Sequence, residues 1–514
     1  MKRANTEILL IGMILAVALL VRVWGIDFGL PYLYHPDEPR YVLSAQFLFK
    51  TFDIDPHNLP NLSSSSFVYV VNALAYAPYY LAGKLSGVFQ SPADIPEPRL
   101  LVTGTGHIAQ SGAFLLGRIV TMLFGIANVL LVFWIGRRWL KSPAIGLLAA
   151  FMLATSPVNV YHSRLVTPDT FVVFFVLAVF WGATQIYRSD ARMPFVLTGV
   201  ALGCLVSTKI NGIIIVFPVL IAHLFRKSLK GFLNANLLLM FTAGILAYVA
   251  TTPYIFGDPR DVFMDIVYEG AHYASGHAGM EGSSLVWYLD YMWQTAGFIS
   301  IAAILEILRG LRARSTEIFL LSVFPLVYFI FISSFVVRND RTFLPLTPFL
   351  FLLAASFLVH LWRRAKGLEP GQVRRLAVSA LALLAVIGLV LPISKTVTDT
   401  LQLTAVDSRE TSRVWIEKNL PPGTKIAIEA YSPFVEPALY SVQPFWMMTD
   451  HEPEWYVDNG FEYLVFSQGM YGRFYAEPEK YSLEISRYER FFERFTPVKI
   501  FGDGDYEIRL YRTR

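Results

Sequence analysis

Long apolar runs separated by short polar segments make up most of this chain. Each run reaches or approaches the roughly 20 residues that a helix needs to cross the hydrocarbon core of a bilayer. The pattern predicts about eleven membrane-spanning helices, over residues 8–24, 114–135, 144–160, 171–186, 195–206, 210–225, 237–251, 291–308, 318–335, 343–361 and 376–391. We therefore expect a polytopic α-helical membrane protein.

Two polar intervals interrupt the apolar runs. The first, about residues 25–112, contains mixed aromatic and apolar patterns over 37–50 and 66–85, which predict helices lying on the membrane surface. The second interval covers residues 253–290. Both are too polar to cross a bilayer, so we expect both to form loops outside it.

The C-terminal part of the chain has the composition of a soluble domain. Its pattern predicts a helix over residues 408–419 and strands over 425–430, 463–467 and 506–511. We therefore divide the chain into a transmembrane module, residues 1–394, and a small α/β domain, residues 395–514.

Basic residues predict the orientation of the module. They cluster at alternate ends of successive predicted spans, always on the side of Lys2 and Arg3, and cytoplasmic segments carry such an excess of Lys and Arg. The two polar intervals and the C-terminal domain then face the extracytoplasmic side of the plasma or inner membrane.

Composition agrees with a membrane protein and limits the chemistry. The chain is 54% hydrophobic and 16% charged, whereas soluble domains are about 25% charged. A net charge of +4 gives no reason to expect a nucleic-acid partner. The single cysteine, Cys204, cannot form an intrachain disulfide, so any external domain must be stabilised by packing.

The segment from His35 to Tyr41, which reads His-Pro-Asp-Glu-Pro-Arg-Tyr, directly follows the first apolar run. Two adjacent carboxylates, Asp37 and Glu38, are costly to place at a bilayer edge without a use. We interpret them as the acid–base centre of a membrane enzyme. The alternative is that they cap the N-terminus of an interfacial helix, which acidic residues also favour.

Further polar residues fall at the predicted outer ends of later spans: His162, Arg164, Asp169, Lys209, Arg338 and Arg341. Each cation alone is compatible with snorkelling to lipid phosphate or with capping a helix C-terminus, and Asp169 with capping a helix N-terminus. Cations that converge with carboxylates predict an anionic ligand, and phosphate or pyrophosphate fits that chemistry best.

Metal ligation is a second hypothesis for the same face, with His35, Asp37 and His162 as candidate ligands of a divalent metal. No spacing here is diagnostic of a metal site. In the second polar interval, Asp258, Asp261, Asp265 and Glu269 recur at helical spacing, which is typical of a solvated helix face. Nearby polar residues are candidates for the acceptor side: His272, His277 and Glu281.

The motifs resemble those of the GT-C superfamily, in particular polyprenyl-phosphate-sugar glycosyltransferases of the protein O-mannosyltransferase and lipid A aminoarabinose transferase type. The resemblance rests on Asp-Glu-Pro-Arg-Tyr (37–41), His-Ser-Arg followed by Thr-Pro-Asp (162–169), and Ser-Thr-Lys (207–209). It covers about residues 8–349. The first motif is closer to the aminoarabinose branch and the second to the mannosyl branch, which leaves the sugar and the acceptor open.

The resemblance implies an inverting transfer of a sugar from a polyprenyl-phosphate donor to a hydroxyl of a lipid, glycan or protein acceptor, on the extracytoplasmic face. Asp37 would be the general base, and Glu38 and Asp169 would complete the catalytic set. The substrate-binding residues implied are Arg40, Tyr41, His162, Arg164, Lys209, Arg338 and Arg341.

A polytopic transporter or lipid-linked-sugar flippase is the alternative class. Transporters place ionisable residues near the bilayer midplane, on broken helices, often in two related halves. Here the acids fall in predicted outer loops and no two-half similarity is visible, so the sequence favours an enzyme.

Overall fold

A computed structural model describes residues 2–60, 66–280, 282–502 and 506–514, so that Glu281 lies outside the described residues. Up to residue 404 the elements are α1 (Lys2–Val23), α2 (Glu38–Thr51), α3 (Ser66–Leu85), β1 (Arg99–Val102), β2 (Thr105–His107), α4 (Gly112–Arg138), α5 (Pro143–Ala154), α6 (Pro157–His162), α7 (Asp169–Arg188), α8 (Arg192–Thr208), α9 (Val216–Lys227), α10 (Ala235–Thr251), α11 (Pro259–Ser275), α12 (Ser284–Ala296), α13 (Phe298–Arg312), α14 (Thr316–Ser333), α15 (Asp340–Phe343), α16 (Thr347–Lys366) and α17 (Gln372–Thr404).

Long apolar helices make this chain a multi-pass membrane protein. Within the described ranges, seven helical segments are long and apolar enough to cross a membrane: Asn5–Val23, Gly112–Arg138, Asp169–Arg188, Ile210–Lys227, Thr316–Ser333, Asp340–Lys366 and Gln372–Asn419. Three shorter apolar helices, α5, α8 and α10, coincide with three further predicted spans. The total of about eleven spans stays a prediction.

The predicted span over residues 291–308 is not one continuous helix in the structure. The structure has two helices here, α12 and α13, which are bent by 109° at their junction and form one broken span at most. The junction is Gly297, with a φ of +47°. Glycine adopts this left-handed backbone without the steric cost that a side chain would add, so the chain turns there.

Glycines allow the shorter apolar helices to pack closely. A Cβ atom on Gly199 of α8 would lie 2.1 Å from the carbonyl oxygen of Met240 in α10, and one on Gly203 would lie 2.1 Å from that of Gly244. Small residues let helix backbones approach each other where the surrounding lipid offers no hydrophobic driving force. The α8–α10 pair is thereby held as one unit. Lys209 directly follows the C-terminal end of α8, so this packing also fixes its position.

The first polar interval forms two helices, α2 and α3, close to the predicted ranges, and a β-hairpin that the pattern did not predict. The hairpin pairs β1 with β2 in antiparallel register, with Arg99 opposite His107. It reaches the C-terminal domain, where Thr105 donates a 2.8 Å hydrogen bond to the carbonyl of Ser432 and Arg99 pairs with Glu436 at 2.8 Å.

The C-terminal part contains α18 (Ser408–Asn419), β3 (Lys425–Glu429), β4 (Ser441–Phe445), α19 (Pro453–Asp458), β5 (Tyr463–Ser467), α20 (Gln468–Tyr471), α21 (Ser482–Arg494), β6 (Thr496–Phe501) and β7 (Ile508–Arg512). The described strands form a five-stranded sheet of order β4-β3-β5-β7-β6, in which β3 runs parallel to β4 and β5. Helices cover both faces and give two buried clusters, so the α/β prediction is confirmed.

Arg409 joins this sheet to the membrane module. It is 1% exposed and its guanidinium lies between the rings of Tyr34 and Tyr506, 4.1 Å and 4.0 Å from their centroids. It also donates to the carbonyl of Tyr34 at 3.2 Å. This cation–π sandwich places Tyr506 beside the segment that carries Asp37.

Candidate active site

A cavity of about 780 Å³ opens where the start of the first polar interval, the start of α7, the end of α8, α11 and α15 meet. Seven of the ten residues predicted for the site line it: Asp37, Arg40, Tyr41, His162, Asp169, Lys209 and Arg341. These residues come from segments up to 304 positions apart in the sequence. The fold therefore gathers most of the predicted set in one place.

Asp37 forms an ion pair with Arg341 across the cavity. It occupies the N-cap position of α2, but its side chain makes no capping hydrogen bond, which disfavours the capping interpretation. Burial alone would raise the pKa of Asp37, but the charges of Arg341 and His35 and the hydrogen bond from Arg341 lower it below its usual range. The carboxylate is therefore ionised at neutral pH.

Asp169 and Lys209 form a second pair, with Lys209 Nζ 3.2 Å from Asp169 Oδ1. Asp169 is 2% exposed and is the first residue of α7, one position after the N-cap Pro168. Lys209 is the extended residue between α8 and a 3₁₀ helix, Ile210–Ile215. Oδ2 of Asp169 has no hydrogen-bond partner among the described residues, so it is available to a ligand.

His162 and Asp340 form a third pair, with His162 Nε2 3.0 Å from Asp340 Oδ2. Nδ1 of His162 is buried without a partner in the described part of the chain. Asp340 also accepts a 2.7 Å hydrogen bond from the backbone N–H of Arg341 through Oδ1. Asp340 thus fixes both the histidine ring and the backbone of the residue that pairs with Asp37.

Tyr273 of α11 lies beside the cations of the cavity. Lys209 Nζ is 5.9 Å from the centroid of its ring. Burial would raise the pKa of Tyr273, but the charges of Lys209 and Arg341 lower it below its usual value. Its hydroxyl is therefore polarised by the same positive charges that face the carboxylates.

Glu38 is oriented away from the cavity and is 2% exposed. Its carboxylate makes a bidentate ion pair with Arg118 of α4, at 2.9 Å and 2.7 Å, and accepts a 2.9 Å hydrogen bond from the backbone N–H of Val166. Burial would raise the pKa of Glu38, but the charge and hydrogen bonds of Arg118 lower it. Glu38 therefore does not line the cavity, and its bonds to Arg118 and Val166 fix the chain next to Asp37.

Two predicted cations also lie away from the cavity. Arg164 is 3% exposed and donates to Val21 in α1 and, at 2.9 Å, to Thr400 in α17. Arg338 donates to the carbonyl of Met280 at 3.2 Å and that of Gly282 at 3.0 Å. Both arginines connect separate segments of the chain, and neither lines the cavity that contains Asp37.

The candidate metal ligands His35, Asp37 and His162 all line the cavity. Among the described residues they do not bring three ligand atoms within 4.8 Å of one another. Burial lowers the pKa of His35, which favours the neutral ring that a metal would need. Metal ligation by this set stays a prediction.

Sequence reasoning missed Arg118, Tyr273 and Asp340. Arg118 lies inside an apolar run, where a single cation is costly and so signals a buried carboxylate partner. Asp340 lies beside Arg341, which was selected for its charge alone. Tyr273 had no signal, because one tyrosine among aromatic residues of a surface helix is not distinctive.

Residues 105–264 match the model of the dolichyl-phosphate-mannose-protein mannosyltransferase family. This segment contains α4 to α10 and both the His162–Asp169 and the Ser207–Lys209 motifs. No curated protein sequence matches the chain.

Solved structures extend the likeness to nearly the whole chain. The archaeal oligosaccharyltransferase AglB from Archaeoglobus fulgidus, in complex with an inhibitory peptide and a dolichol-phosphate, is 12% identical with a TM-score of 0.59 over 98% of this chain and 74% of that one. ArnT from Cupriavidus metallidurans, bound to undecaprenyl phosphate, is 15% identical with a TM-score of 0.54 over 98% and 97%. The chain has the GT-C fold.

At these identities the structural likeness establishes the fold, and the family match adds the enzyme class. The predicted resemblance to GT-C enzymes is confirmed, and so is the prediction of a glycosyltransferase. The roles of individual residues are separate questions, which the geometry above addresses.

The contribution of the Glu38–Arg118 pair to the stability of the fold can be measured by replacing Glu38. Glu38→Gln leaves the buried Arg118 without a charged partner, and breaking such a pair costs about 3–5 kcal/mol. We expect a clear fall in the thermal unfolding temperature of the protein in detergent, read by tryptophan fluorescence. Asp37→Asn is the matched control, because Asp37 and Arg341 are 28% and 37% exposed and such pairs contribute less. An equal fall in the unfolding temperature of both variants would contradict a special structural role for the Glu38–Arg118 pair.

Proposed function

We propose that this protein transfers a sugar from a polyprenyl-phosphate donor to an acceptor hydroxyl, with inversion at the sugar carbon, at the extracytoplasmic face of the membrane. The observation that carries the proposal is the pairing of Asp37 with Arg341 in a cavity that also holds Lys209 and Asp169. A carboxylate opposite two fixed cations is what a transfer from phosphate to a hydroxyl requires.

Asp37 supplies the general base. The acceptor hydroxyl gives its proton to the Asp37 carboxylate while its oxygen forms a bond to the anomeric carbon of the sugar. The bond from that carbon to the phosphate oxygen breaks, and the lipid phosphate leaves with the electron pair. Attack from the face opposite the phosphate inverts the configuration.

Arg341 and Lys209 stabilise the leaving phosphate. A guanidinium binds phosphate in a bidentate manner, and fixed cations in a buried cavity cost little reorganisation at the moment of reaction. In the structure, Arg341 is paired with Asp37 and Lys209 with Asp169. A bound phosphate competes for both cations, and drawing Arg341 towards it would free Asp37 to accept a proton.

One wall of the cavity is apolar and suits a prenyl chain: Ile210, Ile213, Ile214, Phe331, Ile332 and Phe335. These residues adjoin Lys209 in the 3₁₀ helix or lie at the end of α14. The dolichol-phosphate and undecaprenyl phosphate in the AglB and ArnT structures support a lipid phosphate as the donor here. The acceptor (lipid, glycan or protein) stays open.

The proposal includes the orientation of the protein in the membrane and separate roles for its two domains. The basic residues at the opposite helix ends support a cavity that faces outward. In this division the transmembrane module, residues 1–394, performs the transfer, and the domain of residues 395–514 covers the outer side and contributes Tyr506 to the cavity lining. A transporter or flippase is not favoured, because the family match is to a transferase.

Replacing Asp37 and Lys209 tests the two halves of the proposal. Asp37→Asn removes the base, so we expect kcat for release of free lipid phosphate from a polyprenyl-phosphate sugar to fall by about 10²–10⁴-fold. Lys209→Ala removes a phosphate contact, so we expect donor KM to rise at least as strongly as kcat falls. Thermal unfolding of each variant controls for loss of fold. Near-normal turnover in Asp37→Asn would remove Asp37 from the mechanism.

The pH profile tests the link between Asp37 and Arg341. A base whose pKa is lowered remains ionised until the pH falls below the usual value for aspartate, about 3.9, so kcat/KM of the wild type has no acidic limb above about pH 4. Arg341→Gln removes the lowering charge and is expected to move the acidic limb of the residual rate upward by about 1–3 pH units.

Arg338→Gln is the matched control for this profile, since it removes a neighbouring cation that lies outside the cavity. It is expected to leave the acidic limb in place. An unchanged limb in Arg341→Gln, or an equal shift in Arg338→Gln, would show that Arg341 does not control the ionisation of the base.

A further inference from the structure

A second group of ligand-type side chains lies apart from the cavity and consists of His57, Asp258 and Asp261, which we call the His57 cluster. In the described part of the chain this is the one group in which three such residues bring ligand atoms within 4.8 Å of one another. His57 belongs to the first polar interval, and the two aspartates belong to the start of α11. The sequence pattern had assigned these aspartates to a solvated helix face.

The distances in the His57 cluster suit a single cation. His57 Nε2 lies 3.0 Å from Asp261 Oδ2 and 4.0 Å from Asp258 Oδ2. Ligands at about 2.0–2.2 Å from a metal stand about 3–3.5 Å apart. Small side-chain adjustments would therefore place all three around one ion.

The imidazole ring is already oriented for ligation. Its Nδ1 lies 2.8 Å from Asp55 Oδ1, and the backbone N–H of His57 donates to the same oxygen at 3.0 Å. A carboxylate on one ring nitrogen fixes the tautomer and directs the other nitrogen to a metal. Here the other nitrogen, Nε2, points at the two aspartates.

The charge of the cluster is poorly balanced by protein. In the ranges that the structure describes, Asp258 and Asp261 have no ion-pair partner except the ring of His57. Asp258 uses its Oδ1 to accept hydrogen bonds from the backbone N–H groups of Arg260 and Asp261, which leaves Oδ2 for another partner. With Asp55, three carboxylates surround one histidine, and a divalent cation would neutralise two of their three negative charges.

The backbones that carry the cluster are in contact. A Cβ atom on Gly257 would lie 2.6 Å from the carbonyl oxygen of Ile54 and 2.7 Å from Pro56 Cδ. The interval that carries Asp37 and the helix that carries Tyr273 therefore meet at this point. A bound ion would tie together two segments that both contribute residues to the cavity lining.

We propose that His57, Asp258 and Asp261 bind a divalent transition-metal cation, Zn²⁺ or Mn²⁺, which clamps the start of α11 to the first polar interval. One imidazole nitrogen with two carboxylate oxygens suits these ions, whereas Mg²⁺ prefers oxygen ligands alone. The side chains are 60%, 33% and 37% exposed, so water completes the coordination and the ion enters directly from solvent.

Manganese binding tests the proposal without a substrate. The full-length protein in detergent, stripped with a chelator, is titrated with Mn²⁺ alone while the electron paramagnetic resonance signal of free Mn²⁺ is recorded. We expect saturable binding at this site, and at least about tenfold weaker affinity in His57→Gln and in Asp261→Asn. Asp94→Asn is the matched control, because Asp94 is an exposed aspartate of the same interval that accepts backbone hydrogen bonds from Gln90 and Ser91.

Amide hydrogen exchange gives a second readout, in which Mn²⁺ should slow exchange in residues 253–262 of the wild type and not of His57→Gln. Binding that is absent, or equal in His57→Gln and the wild type, would overturn the proposal. The proposal would also be overturned if Asp37→Asn lost Mn²⁺ binding while His57→Gln kept it, because that result would place the ion in the cavity. All three ligands are partly exposed, so the variants are expected to unfold at the wild-type temperature without metal.

Discussion

The buried pair of Glu38 and Arg118 is the constraint on which the arrangement of this site depends. Both side chains are 2% exposed, and a charge so far from water is tolerated only with a close, fully bonded partner. The pair joins the segment after α1 to α4, and the hydrogen bond from Val166 adds the segment before α7. Arg118 also donates to the carbonyls of Ile26 and Phe28 at 2.8 Å. Asp37, the neighbour of Glu38, is thereby held in the lining of the cavity.

Two ion pairs then meet inside the cavity, formed by Asp37 with Arg341 and by Asp169 with Lys209, beside the contact of Asp340 with His162. Each carboxylate of these ion pairs occupies a cation that an anionic ligand would also bind. In the proposed reaction, the phosphate of the donor replaces Asp37 and Asp169 as the partner of Arg341 and Lys209.

Sequence patterns predicted the elements whose cause is local. The apolar runs predicted the membrane helices, alternation predicted β3 and β5, and seven of the ten residues predicted for the site line the cavity. They failed where contacts between distant segments determine the structure. The examples are the bend at Gly297, the β-hairpin that contacts Ser432, and whether the side chain of a cation faces the cavity or packs elsewhere. Arg164 and Arg341 look alike in sequence, yet the first bonds α1 and α17 and the second faces Asp37. The cluster at His57 was missed because its ligands are far apart along the chain.

The proposal that Arg341 and Lys209 hold the donor phosphate is best tested by an experimentally determined structure of the protein with a bound polyprenyl phosphate. We expect the phosphate oxygens at about 2.7–3.2 Å from Lys209 Nζ and from the guanidinium of Arg341, with the Asp37 carboxylate released from Arg341 and open to the cavity. A phosphate bound elsewhere, with Asp37 and Arg341 still paired, would contradict it.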